Sequence, residues 1–274
     1  MTHTKQKTNP LRLFILVILL FLSCAWFLWE RQKNTEQKTP EFNYKNLVAH
    51  IEEKGKQDTI VYIHDTFYKK DNDIPAQGLS DALRFLRTYQ TQNDMDPEFG
   101  FLYAKLLRSS ALSFKETNPN RYQDLLATAV LNFYASALLV EAEIARCKDP
   151  SAQEQARSFL ENLYTFYYSH YGDLPRKYRE SIRNTLSASK NHGLKRPPNP
   201  AHCKQGAKYM KKILETGQYT ETEKFTNQDT GITVQMIESD IEPDYIPEAD
   251  WKIIVEDIYN KTIQDLSNPV KEKE

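Results

Sequence analysis

His64 and Asp65 come nearest, in this chain, to a general base beside an orienting acid, the pair that serves proton transfer. They lie in 59–68, TIVYIHDTFY, whose β-branched and aromatic residues read either as a strand or as a buried helix. On a strand, adjacent side chains point to opposite faces, so the two would not act together. Glu141 and Glu143 interrupt an apolar helix and suggest a carboxylate pair in a cleft, but residues two apart on a helix do not share a face. Both are expected to be solvated near the helix end. His192, His202 and Cys203 lack the paired spacing of zinc ligands, so no metal and no cofactor is expected. No serine or cysteine sits in a recognisable nucleophile motif. Tyr164, Phe166, Tyr167, Tyr168, His170 and Tyr171 would suit a sugar or peptide platform, although much of this set also fits the inward stripe of a packed helix. Core packing is the expectation.

Of the three cysteines, Cys24 falls in an apolar run, which leaves Cys147 and Cys203, each at the end of a predicted helix. Outside a reducing cytoplasm such a pair reads as a disulfide. Closing a loop of about 55 residues would stabilise the fold by about 4 kcal/mol in the chain-entropy model. Two separate thiols are the alternative.

A formal net charge of −1 conceals a strong asymmetry. Residues 174–212 are basic and contain one acid, Glu180, while 218–250 reverse the balance around a single Lys224. Arg176, Arg179, Arg183 and Lys190 share one helical strip, and Lys204, Lys208, Lys211 and Lys212 share another. Three readings compete for these eight residues: solvated surface, docking of the acidic segment, and recognition of an anionic partner such as lipid headgroups or acidic protein. Nucleic acid is not an expected partner.

Helical periodicity and caps set out the elements that would carry these residues. Helices are predicted over 44–54, 80–89, from Asp96-Pro97 to about 115, from an Asn120 cap to about 147, and from a Ser151/Glu154 capping box to about 170 with a left-handed Gly172. More follow Pro175, begin near Ala201 and end at Gly217, and run over 247–266. The stretch 125–140 is apolar on nearly every face, which places it at the centre of the fold, with a second membrane span as the alternative. The strand-like 231–237 would pair with 59–68 or add to a partner's sheet edge. The fold class is therefore all-α, a bundle or stacked helical hairpins, with one minor two-stranded β element.

Ahead of this domain, residues 13–29 form an uncharged run in which twelve side chains are Leu, Ile, Val or Phe. Lys5, Lys7 and Arg12 precede it without an acid, so the run reads as a transmembrane helix with a cytoplasmic amino terminus. Bulky Trp26, Phe27, Leu28 and Trp29 occupy the place of a signal-cleavage site, which disfavours cleavage and also lipid attachment at Cys24. The resulting order is a cytoplasmic 1–12, the anchor 13–29, a tether 30–43, a helical domain 44–217, an acidic and partly mobile insertion 218–246, a terminal helix 247–266 and a tail 267–274. A bacterial inner-membrane protein facing the periplasm fits this order. With no chemistry evident, the expected function is a helical interaction or scaffold protein that binds other envelope proteins. A small-ligand binder or an enzyme acting on envelope material are the alternatives.

Overall fold

The computed structural model describes residues 42–68, 76–93, 95–226 and 233–268. The expected anchor at 13–29 lies outside the described residues. So do 1–12, residues 30–41 of the tether and all but the start of the tail. Among the described residues the chain is mostly helical, with one two-stranded sheet.

Four helices begin with an aspartate or asparagine cap followed by proline. The caps are Asp96 for α3 (Pro97–Leu112), Asn118 for α4 (Pro119–Ile144), Asp149 for α5 (Pro150–Gly172) and Asn199 for α7 (Pro200–Cys203). In each, the side-chain oxygen accepts a first-turn backbone N–H, while proline supplies a preset φ where no N–H is needed. Two expected caps are corrected by this pattern: Asn118 and Asp149 do the work assigned to Asn120 and Ser151. Gly172 closes α5 without a left-handed turn, which among the described glycines occurs at Gly55 and Gly217.

The stretch 59–68 is helix. It forms the second half of α1 (Tyr44–Tyr68), which turns back on itself at Gly55, where φ is 84°. Glycine takes this φ without a Cβ clash. The turn lays His50 on Tyr62, with ring centroids 4.7 Å apart, and Phe42 against Phe67 at 5.2 Å. Tertiary packing of Leu47, Thr59 and Ile63 thus outweighs the β propensity of the stretch. Helix α2 (Ala76–Gln92) follows, burying Ala82, Phe85 and Leu86.

Helix α4 is the axis of the molecule, packed by α3, α5, α6 (Arg176–Gly193) and α9 (Glu248–Asp265). It is long and apolar enough to cross a membrane, yet 72% of its apolar window is buried inside the domain. Its Phe133 stacks on Tyr167 of α5 with centroids 4.1 Å apart. The Trp251 indole of α9 donates to the Ala142 carbonyl at 2.7 Å.

The expected single helix after 200 is two. Short α7 stops at Cys203, and α8 (Ala207–Thr216) ends at a left-handed Gly217 with φ 65°. Strands β1 (Thr220–Thr226) and β2 (Thr233–Glu238) then pair antiparallel, so the partner of the second strand is its sequence neighbour and not 59–68. The chain beyond the hairpin is fastened to the body. Lys148 N donates to Asp244 O at 3.1 Å, and Ile246 N to Arg146 O at 2.8 Å.

Candidate functional site

The carboxyl end of α4 carries a buried charge cluster. Glu143, expected to be solvated, has a side chain only 3% exposed. Three neighbours satisfy it through four contacts. Arg196 grips Oε1 through Nε at 2.9 Å and through its second nitrogen, Asn199 Nδ2 donates to Oε2 at 3.0 Å, and His202 Nε2 lies 3.2 Å from Oε2. Burial alone would raise the carboxyl pKa, but the His202 hydrogen bond and the Arg196 charge outweigh it and hold Glu143 below the usual carboxylate range. Glu141, two residues earlier, turns elsewhere and accepts from Arg157 Nε at 3.1 Å.

The same loop brings the cysteines together. Cys147 Sγ and Cys203 Sγ are at disulfide distance, 1.99 Å, and both residues are buried. Asp149 extends this knot, capping α5 while accepting from the Lys208 backbone at 2.6 Å. The carboxyl end of α4 is thereby tied to the 194–208 segment by a charge cluster, a cysteine pair and a shared cap. A lone acid in an apolar helix, followed by a short stretch holding Arg196, Asn199 and His202, is the sequence signal that could have revealed it.

The eight expected basic residues have different surroundings. Arg183 turns inward, donating to the Tyr171 hydroxyl at 3.1 Å and to the Leu266 carbonyl at 3.3 Å, which caps α9. Arg176 pairs with Glu180 and Lys211 with Glu215 on their own helices. Lys204 donates to the Ser239 carbonyl at 2.8 Å, and Lys212 lies 3.4 Å from the Asp244 carboxylate. Those two lysines hold the acidic segment, more through its backbone carbonyls than its side chains. Arg179 and Lys190 are partly buried on α6, and Lys208 is exposed.

His64 and Asp65 do touch, at 3.3 Å, because on a helix neighbouring side chains can lean together. Lys105 Nζ lies 2.8 Å from His64 Nε2. Burial pushes the lysine below its ordinary pKa. His202 and Cys203 are occupied by Glu143 and Cys147, and no group able to hold a metal occurs among the described residues.

The aromatic run splits between two roles. Tyr167 and Tyr171 enter the core, while Tyr164 and Tyr168 join Tyr134 of α4 along a half-open trough of about 850 Å³ between α5 and α9. Its far wall is Ile254, Asp257, Ile258 and Lys261. Nothing in the local sequence of α5 announces that wall, which arrives from about ninety residues further along.

No family model, curated protein or solved structure matches this chain.

Proposed function

We propose that the chain is a single-pass envelope protein of the bacterial inner membrane, with a helical domain in the periplasm that docks other envelope proteins. One observation carries the reading: Cys147 and Cys203, separated by 56 positions, are at disulfide distance in a small buried cluster beside the carboxyl end of α4. A disulfide is retained in an oxidising compartment and reduced in the cytoplasm. That agrees with an apolar 13–29 whose amino-terminal flank is basic and free of acids.

An alkaline phosphatase fused after Glu274 tests the topology, since it folds and acts only outside the cytoplasm. Activity is expected, and an inactive but stable fusion would end the periplasmic reading. Mild crosslinking in intact cells tests the docking. Recovery of specific envelope proteins is expected, and recovery of the chain alone would remove the scaffold role.

A further inference from the structure

We propose that the trough between α5 and α9 is the seat of a basic amphipathic helix supplied by a partner protein. The inference rests on the docking function proposed above and assigns that function a place and a chemistry.

The trough has the dimensions of an absent helix. Its α9 wall runs from Ile254 to Asp265, about 17 Å at 1.5 Å per residue, or about three turns. Helices α5 and α9 both pack on α4, one on each side, and leave its Tyr134 as the floor between them. Ile254 and Ile258, both partly exposed, present aliphatic surface to this space. Aliphatic anchors spaced one turn apart on an incoming helix would cover this surface.

The polar groups of the trough select the charge of that helix. Tyr134 is 97% buried, yet its hydroxyl, like that of Tyr164, has no hydrogen-bond partner among the described residues. Both hydroxyls therefore offer unused oxygen acceptors at the base of the trough. Arg157 is already paired with Glu141. That leaves Asp257 and Asp265 in the lining against Lys261. Carboxylates, phenolic oxygens and aromatic rings together suit ammonium and guanidinium groups.

A second copy of the chain does not supply such a helix from its basic segments. The apolar residues of α6 and α8, including Ile182, Leu186, Tyr209 and Ile213, are already buried in the chain's own core. Neither of these described helices is free to be the occupant, and we assign that place to another protein.

The test uses the full chain in zwitterionic nanodiscs, with empty discs as control, and two fluorescent peptides of about three to four helical turns. One places leucine and lysine at amphipathic spacing, and the other replaces every lysine with glutamate. The leucine–lysine peptide is expected to bind and the leucine–glutamate peptide to fail. The D257K/D265K variant is expected to weaken binding by about tenfold or more, a change of one decade in Kd. Ile258→Asp is expected to do the same, with circular dichroism confirming that each variant is folded. Equal binding of the two peptides, no binding, or binding unchanged in D257K/D265K would overturn the proposal. Peptide-free self-association that D257K/D265K abolishes would also overturn it, by assigning the trough to a second copy. Because the titration uses purified protein, its failure stands apart from a failed cell crosslink or an inactive phosphatase fusion.

Discussion

The Glu143 carboxylate accepts a two-nitrogen grip from Arg196, a residue 53 positions further along the chain, inside a site from which solvent is almost excluded. The pair fixes where 194–206 lies against α4, and Asn199 and His202 complete it from the same segment. Removing one partner of a buried ion pair leaves an uncompensated charge, at a cost of about 3 to 5 kcal/mol. Arg196→Ala is therefore expected to lower the unfolding free energy obtained from urea titration by an amount in that range. Arg196→Lys should recover only part of it, because an ammonium cannot reproduce the planar fork.

Acidity should act through the same carboxylate. Glu143 is held below its ordinary pKa, so the folded state binds its proton more weakly than the unfolded chain does. Its contribution is fully present above the unfolded glutamate value of about 4.3 and is lost as pH falls through the lower folded value. Denaturation curves recorded between neutrality and about pH 3 should lose stability toward the acid end. Glu143→Gln is expected to start less stable and to show a shallower acid loss. An identical slope would mean that other carboxylates set the acid response.

The cysteine pair closes a loop of 56 positions, which in the chain-entropy model stabilises the fold by about 4 kcal/mol. C147S/C203S, and the wild type in strong reductant, are expected to melt at similarly lowered temperatures. Reductant should not shift the double variant further. Because Glu143 binds the same segment, Arg196→Ala should cost more in the cysteine-free protein than in the wild type. Simple additivity of the two changes would show that the two ties act independently.

Local chemistry was legible in the sequence, and long-range partnership was not. Asp96-Pro97 and the apolar centre at 125–140 carry their own signals, because a cap and a periodicity act within a turn or two. Cys147 and Cys203 were also legible, since few cysteines leave few pairings. Glu143 was misread because every group that stabilises it lies more than fifty positions away. The stretch 59–68 was ambiguous because its residues favour strands locally, and the decision belongs to a turn at Gly55 and to packing. The basic strips were legible as periodicity, but the partners of three of their members were not. Arg183, Lys204 and Lys212 point their charges at carbonyls and a carboxylate that later segments bring to them.

Two glycines should fail on substitution for opposite reasons. A Cβ at Gly193 would lie 2.8 Å from the Tyr259 hydroxyl and 2.9 Å from its ring, so Gly193→Ala forces α6 and α9 apart. Overpacking of this kind costs about 1 to 3 kcal/mol. At Gly55 a Cβ would meet nothing within 4 Å, but φ is 84°, and an alanine there is strained by its own backbone at about 1 to 2 kcal/mol. A double-mutant cycle with Tyr259→Leu separates the causes. Shortening the side chain should relieve part of the Gly193→Ala loss, because the clash is with that ring, and should leave the Gly55→Ala loss unchanged, because nothing at Gly55 is being touched. Relief of both by the same amount would place the strain in the unfolded state rather than in these contacts.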